Sequence, residues 1–224
     1  MATHKDEITT EGFTVVNGIY TSDEIRNARN AIEKWTQVHK GLPTAGGVSI
    51  PDFIKIPALK PVTELKDNSL LKSTLGDILN DDFRFCSHND IGIARAVGWH
   101  KDKLNGQYAK YQKTNIWKPL PNGDRHEILK VLIYLQDQED KETSLFVVPG
   151  SHTSTSIDTK KAKQVSVKSG DVVIFDQRIT HRGAHKSKPG RILVSFGFGK
   201  NNVFTDEFEA GTVARQGDQT SQMR

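Results

Sequence analysis

The sequence predicts a mainly β protein, a sandwich or barrel of short strands with helices packed on its outside. The N-terminal part carries helical patterns of apolar residues, whereas from Phe83 onward short apolar segments alternate with turn sequences. A run of strands beside a helical part is typical of a sheet that buries its faces under helices. No linker-like stretch divides the chain, so we expect one domain over residues 1–208.

Two helices are predicted in the N-terminal part. Apolar side chains at helical spacing, behind a cluster of capping residues, predict a helix over residues 22–38. Asn68 or Ser69 can cap a second helix that extends to Leu79. Between them, residues 41–63 contain several glycines and prolines, which predict a loop and a candidate lid over a site.

The strands are predicted from short apolar segments bounded by turn sequences. They are Gly12–Val16, Phe83–His88, Ile91–Val97, Ile128–Leu135, Leu145–Val148, Gln164–Val167, Asp171–Phe175 and Arg191–Phe198. The final stretch, residues 209–224, is polar and nearly without large apolar side chains. That composition predicts a flexible C-terminal tail.

Composition and charge exclude several classes of protein. The 224 residues have a formal net charge of +4 and acidic residues throughout, so the chain is not a polycation that binds nucleic acid. No apolar run is long enough to span a bilayer, and the N-terminus does not resemble a secretory signal. Cys86 is the single cysteine, so no intrachain disulfide can form. We expect a soluble cytoplasmic protein with a small-molecule partner and no membrane partner; its oligomeric state is left open.

The tripeptide His100-Lys101-Asp102 can place two metal ligands together. On a strand, side chains at i and i+2 point to the same face, so one imidazole and one carboxylate converge. A histidine from another strand would complete a facial triad, which holds Fe(II) on one side and leaves the other positions open. The tripeptide alone is weak support, because it also occurs by chance.

A second segment supplies the missing histidine. The apolar strand Val172–Phe175 leads into a turn that delivers His181, and Arg191 opens a strand ten residues later. A guanidinium fixed beside a metal suits a carboxylate that must be held in a bidentate way. 2-Oxoglutarate needs such a partner for its distal carboxylate while its keto-acid end chelates iron.

These segments together resemble the phytanoyl-CoA dioxygenase family of Fe(II)/2-oxoglutarate oxygenases. The resemblance covers about residues 11–198 and is carried by four segments: Glu11–Val16, Trp99–Asp102, Phe146–His152 with its Pro-Gly-Ser-His element, and the stretch from His181 to Arg191. It implies a double-stranded β-helix, a cupin-like jelly roll, flanked by the N-terminal helices. It also implies Fe(II), 2-oxoglutarate and O2 at the open end of the core.

The resemblance assigns roles residue by residue. His100, Asp102 and His181 match the catalytic iron ligands, and Arg191 matches the arginine that binds the side carboxylate of 2-oxoglutarate. Trp117 lies where the family often has an aromatic residue near this cosubstrate, although packing in the core would explain it as well.

Two other histidines are weighed against this assignment. His152 belongs to the Pro-Gly-Ser-His element, and we assign it to the turn. His185 is a rival to His181, but its position after Gly183 and Ala184 fits the family less well.

The chain also departs from the family pattern. Lys101 stands where glutamine is frequent, and Ser144 ends a segment that often contains a glycine turn. Gly183 replaces a small hydroxyl residue, which puts one secondary hydrogen bond to 2-oxoglutarate in doubt.

The implied reaction is hydroxylation of a small molecule, with release of succinate and CO2. Because Asp102 is intact, halogenation is disfavoured, whereas desaturation and ring closure stay open. Two alternatives are a cupin-like metalloenzyme that does not use 2-oxoglutarate and a non-catalytic jelly-roll binding module. The cupin-like metalloenzyme would give Arg191 no role. The binding module would make the spacing of the three ligands a coincidence.

The substrate is less well defined than the reaction. A stretch rich in lysine and arginine follows His100, and a solvated face is the simpler explanation of it. The alternative is a basic rim that draws in an anionic small molecule, and the substrate is assigned to that class. Lys101, Lys103 and Lys113 are the candidate substrate contacts.

Overall fold

The computed structural model describes residues 2–223, which form helices packed around two antiparallel sheets. The helices are α1 (His4–Thr10), α2 (Ser22–Val38), α3 (Lys60–Thr63), α4 (Ser69–Leu79) and α5 (Val203–Ser221). The strands are β1 (Phe13–Val16), β2 (Leu42–Thr44), β3 (Gly47–Pro51), β4 (Phe83–Ile93), β5 (Ile128–Tyr134), β6 (Leu145–Val147), β7 (Lys163–Val165), β8 (Val172–Asp176), β9 (His181–Arg182) and β10 (Ile192–Lys200).

The two sheets build a jelly roll. The larger sheet has the order β1-β8-β5-β10-β4-β3-β2, and the smaller sheet has the order β7-β6-β9. Every strand pair is antiparallel. Strands that are distant in sequence lie side by side, as β10 does between β5 and β4. The structure thus confirms the predicted jelly-roll core with flanking N-terminal helices.

Side-chain alternation along the central strands separates an outer core from an inner one. In β5, Val131 and Ile133 face outward and pack in the cluster that contains the N-terminal helices. Leu132 and Tyr134 face inward and pack with Leu145 of the smaller sheet. Because successive strand residues point to opposite faces, Lys130 belongs to the inner set. A lysine therefore points toward the space between the sheets.

The two predicted N-terminal helices are confirmed at their expected positions. In α2, Thr21 forms a capping box with Glu24, and Ile25, Ala28, Ile32 and Trp35 are buried against the outer face of the sheet. In α4, the Asn68 side chain accepts from the backbone amides of Leu70 and Leu71. Helical periodicity was sufficient here because the apolar stripe of each helix packs on the sheet.

Two strands predicted separately are a single strand in the structure. β4 includes residue 90, which the prediction left between strands, and it pairs with β10 with a register shift between Phe196 and Phe198. Opposite this shift, Ser87 has a φ of 59°. The irregularity is a bulge, which bends a strand and re-aims its side chains.

The segment predicted as a loop is more regular than its composition indicates. Residues 42–51 form the β2–β3 hairpin, which extends the edge of the larger sheet, and β3 pairs with β4. The residues that follow form short helical turns, in which Phe53, Leu59 and Val62 are fully buried. Tertiary packing accounts for this order, since the apolar residues among the prolines join the outer core.

The C-terminal stretch differs from the predicted flexible tail. Residues 203–221 form α5, whose amide groups are capped by the side chain of Asn202. Phe204 and Phe208 pack against β4 and the segment before β5, and Thr212 and Gln216 are buried. The prediction was wrong because it counted large apolar residues. α5 is held largely by small and polar side chains. The final residue, 224, lies outside the described part of the chain.

Within residues 2–223, no helix combines the length and the apolar character that crossing a membrane requires.

Buried His126 predicts a loss of stability in acid. Its side chain is 3% exposed, 6.0 Å from the Phe204 ring, and burial lowers its pKa to about 4. The unfolded chain therefore binds a proton between about pH 6.5 and 4 that the folded protein does not. We expect the free energy of unfolding to fall across this window as the pH falls, with at most about 3 kcal/mol from this residue.

Urea unfolding of the wild type and of His126→Gln at several pH values measures this contribution. The difference between the two proteins should change across the window, while His185→Gln at an exposed position should follow the wild type. Parallel curves for the wild type and His126→Gln would contradict the prediction.

Candidate functional site

A backbone bridge brings the His100 segment to β9. The amide of His100 donates to the carbonyl of His181, and the amide of His181 donates back, both at 2.9 Å. Two residues on, the amide of Asp102 donates to the carbonyl of Gln177 at 3.0 Å. This pairing places one ligand atom from each of His100, Asp102 and His181 within 4.8 Å of the others. The structure therefore brings the three predicted ligands together.

Hydrogen bonds orient both imidazoles. His100 Nδ1 lies 2.8 Å from the carbonyl of Gly98, and His181 Nδ1 lies 3.1 Å from the carbonyl of Ile179. Since a carbonyl only accepts, each Nδ1 is the N–H donor, which leaves the Nε2 lone pairs free. The two Nε2 atoms lie 3.3 and 3.5 Å from the Asp102 carboxylate oxygens. This orientation is characteristic of metal-ligating histidines.

The electrostatics of the three residues suit a cation. Burial opposes the charge on Asp102, but Lys130 and the two histidines outweigh it and hold the pKa of this carboxyl well below its usual range. Burial lowers the pKa of His181 to about 4. Burial also opposes charge on His100, but Asp102 outweighs it and raises the pKa above 6.5, so a metal that binds Nε2 displaces the proton shared with Asp102. A carboxylate and two imidazole lone pairs facing one another are the donor set of a divalent metal.

The three residues line a cavity of about 230 Å³ between the sheets. Its apolar walls include Val97, Leu132, Leu145, Phe175 and Leu193. Its charged walls are formed by Asp90, Arg95, Asp102, Lys130, Arg191 and Arg215. An apolar cavity with a few convergent polar groups is typical of a small-molecule site.

Arg191 is held inside this cavity. Its side chain is 3% exposed, and Nε donates to the carbonyl of Thr143 at 3.1 Å. The guanidinium lies 5.3 Å from the centre of the Tyr134 ring, whose buried hydroxyl finds no acceptor for its proton among the described residues. Burial raises the pKa of Tyr134, so its hydroxyl stays a neutral donor. A guanidinium beside an unused hydroxyl donor is suited to a carboxylate.

Trp117 does not line the cavity. It packs against the cluster of Cys86, Leu104 and Ile116, with the Lys101 ammonium 5.6 Å and the Arg178 guanidinium 6.0 Å from its ring. This position agrees with the other explanation given for Trp117, packing in the core, and not with a contact to the cosubstrate.

Lys101 and Lys113 lie away from the cavity that contains the triad, and Lys103 lines only a neighbouring one. Lys101 points away from the triad, and Nζ donates to the carbonyls of Ser151 and Arg178 at 2.7 and 2.8 Å. Lys113 is exposed and does not line the cavity. Lys103 lines a smaller neighbouring cavity of about 20 Å³.

Three cations in the cavity were not among the candidate site residues predicted from the sequence. Lys130 Nζ lies 2.7 Å from Asp102 Oδ2, and Arg95 pairs with Asp90 at 2.5 Å. Arg215 reaches the cavity from α5. Of these, Lys130 had a sequence signal, because it is the single charged residue in the otherwise apolar strand β5.

The two rival histidines lie elsewhere. His152 is buried in the turn after β6, with Nε2 3.3 Å from the carbonyl of Thr9. Its ring packs so closely on Gly12 that a β-carbon there would lie 2.4 Å from Nδ1. His185 is exposed.

Comparison with known proteins agrees with this geometry. The family model described as Phytanoyl-CoA dioxygenase (PhyH) matches residues 8–192. No curated protein sequence matches the chain.

Solved structures share the fold at low sequence identity. HygX from Streptomyces hygroscopicus, solved with nickel and 2-oxoglutarate bound, is 22% identical with a TM-score of 0.64, covering 87% of this chain and 85% of its own. The epimerase SnoN, in complex with Fe3+, alpha ketoglutarate and nogalamycin RO, is 13% identical with a TM-score of 0.66, covering 91% and 88%. The carbocyclase SnoK from nogalamycin biosynthesis is 15% identical with a TM-score of 0.64, covering 88% and 83%.

The family match and the site together define the class of the protein, an iron- and 2-oxoglutarate-dependent oxygenase with a His-Asp-His candidate triad. Because the family model matches most of its length, the chain belongs to the phytanoyl-CoA dioxygenase family.

The two hydrogen bonds of the Lys101 ammonium are expected to stabilise the folded protein. Lys101→Met would leave the part-buried carbonyl of Arg178 without its donor and the carbonyl of Ser151 with only the amide of Ser154, at 3.2 Å, so we expect a loss of about 1–3 kcal/mol in the free energy of unfolding. Urea unfolding measures the loss, with Lys118→Met at an exposed position as the matched control. Equal stability of the two variants would mean that the Lys101 hydrogen bonds contribute nothing.

Proposed function

We propose that the protein is an Fe(II)- and 2-oxoglutarate-dependent dioxygenase that hydroxylates a small molecule, releasing succinate and CO2. The observation that carries the proposal is the shared cavity, which joins a His-Asp-His cluster to a buried arginine with free donors. In this proposal His100, Asp102 and His181 hold the iron. When bound, iron, 2-oxoglutarate and O2 supply the oxidising power to remove hydrogen from an unactivated C–H bond.

The polar residues of the cavity have separate roles in this proposal. Arg191 binds the distal carboxylate of 2-oxoglutarate, and the neutral Tyr134 hydroxyl donates a second hydrogen bond to it. Gly98 and Ile179 keep both Nδ1 atoms protonated, so that both Nε2 atoms can bind the metal.

The apolar residues limit access of water. Leu132, Phe175 and Leu193 line the same cavity, and the Phe175 ring lies 4.6 Å from the His181 ring. Excluding water strengthens electrostatic interactions inside the site and prevents side reactions. The substrate would therefore meet the metal between apolar walls on one side and charged groups on the other.

The two alternatives leave features of the cavity without a task. A cupin-like metalloenzyme without 2-oxoglutarate would not use the buried Arg191 or the unpaired Tyr134 hydroxyl. A non-catalytic binding module would not need both histidine Nε2 atoms directed at one buried carboxylate.

Anaerobic addition of Fe(II) and 2-oxoglutarate tests the proposal. We expect a weak visible charge-transfer band from the chelate, and succinate formation once O2 is admitted. Asp102→Ala should lose the band, because the carboxylate that completes the donor set is gone. A folded protein that binds Fe(II) without developing the band in the presence of 2-oxoglutarate would refute the cosubstrate assignment. Product analysis separates hydroxylation from desaturation and ring closure.

Arg191 is tested separately from the metal ligands. Arg191→Gln removes the guanidinium, so we expect the 2-oxoglutarate affinity to fall by about 10–100-fold, because hydrogen bonds to charged groups contribute about 1.5–3 kcal/mol. Fe(II) affinity should change little. Titration of the visible band measures both quantities.

The exposed Arg125→Gln is the matched control, and Arg191→Lys should give an intermediate affinity because it keeps charge without the planar fork. Unchanged 2-oxoglutarate affinity in folded Arg191→Gln would remove this residue from its role.

A further inference from the structure

Arg215 is held over the cavity by its helix. On α5, the neighbouring Gln216 accepts from the amide of Asn89 at 3.1 Å and donates to the carbonyl of Ser87 at 3.2 Å. These two hydrogen bonds fix α5 to the bulge of β4, at the backbone on either side of His88. Arg215 Nη2 then lies 3.3 Å from His88 Nδ1. The guanidinium is thus positioned before any ligand arrives.

His88 acts as a neutral acceptor for this arginine. Burial, together with nearby Lys130 and Arg215, lowers its pKa well below 6.5, so the ring is uncharged. Since the guanidinium can only donate, Nδ1 accepts and Nε2 carries the proton. Nε2 lies 3.5 Å from the Ser195 hydroxyl. Among residues 2–223, Arg215 therefore has an orienting partner, His88, but no carboxylate that neutralises it.

The cavity has more cations than carboxylates. Four cationic side chains line it, from Arg95, Lys130, Arg191 and Arg215, against two carboxylates, from Asp90 and Asp102. With neutral histidines, the excess is two positive charges. Binding of a divalent metal together with doubly charged 2-oxoglutarate leaves this excess unchanged.

Both carboxylates already have partners. Asp90 pairs with Arg95, and Asp102 pairs with Lys130. Once 2-oxoglutarate neutralises Arg191, Arg215 is the cavity cation without a counter-ion. Arg215, Lys130 and Asp102 also line the small neighbouring cavity, so the guanidinium of Arg215 shares two cavities with one of the proposed metal ligands, Asp102. A cleft with excess charge of one sign concentrates ligands of the opposite sign.

We propose that the primary substrate carries an anionic group, a carboxylate or a phosphate, and that Arg215 of α5 binds it. This inference rests on the proposed oxygenase function and names the substrate class of that site. The residues that match the family model end at 192, before α5 begins, so the anchor belongs to the C-terminal part of this chain. In this proposal Arg215, and not Lys101 or Lys113, gives the protein its preference for an anionic substrate.

Nuclear relaxation near a paramagnetic metal tests the anion site. The full chain is loaded with Mn(II) and 2-oxoglutarate, and cosubstrate binding is verified by calorimetry. Methyl phosphate is then titrated and observed by 31P relaxation, and carboxyl-labelled propionate and propionamide are observed by 13C relaxation. We expect saturable enhancement for at least one anion and none for the uncharged amide. Comparison of phosphate with propionate identifies which anion the site prefers.

Variants assign the effect to Arg215. Arg215→Gln should weaken anion binding by about tenfold or more, because a charged donor is lost, while 2-oxoglutarate affinity stays unchanged. Arg215→Lys should retain part of the binding. Lys113→Gln removes an exposed cation outside the cavity and should behave as the wild type. Circular dichroism and thermal unfolding check that α5 remains folded.

The outcomes separate the two proposals. Absence of 2-oxoglutarate binding would count against the oxygenase function itself. Normal 2-oxoglutarate binding without anion enhancement, or with equal enhancement in Arg215→Gln, would overturn the anion site alone. Anion binding that expels 2-oxoglutarate would also overturn it, since the anion would then occupy the cosubstrate position.

Discussion

The antiparallel bridge between His100 and His181 is the contact on which the site depends. It joins a segment without regular structure of its own to the short strand β9, through two backbone hydrogen bonds of 2.9 Å. The bridge aligns His100 with His181 and turns Asp102 toward both. Behind it, buried Lys101 fixes the same segment to the turns at Ser151 and Arg178. Ligands from two distant parts of the chain are thereby held at one point.

The second constraint on the site is that the charged side chains inside the cavity must be neutralised. A carboxylate as buried as Asp102 is costly unless it is paired, and Lys130 and the two histidines provide its partners. The same principle explains why Asp90 forms an ion pair with Arg95. Arg191 and Arg215 are different, because no carboxylate of the cavity neutralises them. The ligands of this protein are expected to bring the missing negative charge, which links the metal site, the cosubstrate and the substrate through one electrostatic requirement.

Local sequence patterns were reliable where one element decides its own structure. The helices over residues 22–38 and 69–79 follow from apolar spacing and capping, and both are present. Patterns failed where distant packing decides. Residues 42–51 form a hairpin because β4 offers an edge, and α5 forms on a polar stretch because Asn202, Phe204 and Gln216 find partners elsewhere. No local pattern contains those partners.

The sequence by itself predicted a sandwich or barrel with helices outside, and its resemblance to the phytanoyl-CoA dioxygenase family implied the jelly roll, the three candidate metal ligands and Arg191. Only the tertiary structure decided which other charges face the cavity. Lys101 is adjacent to the ligands in sequence yet points away from them, whereas Arg215, more than a hundred residues later, lines the cavity. The reason is physical: strand alternation sends neighbours to opposite faces, and helix packing brings distant residues together.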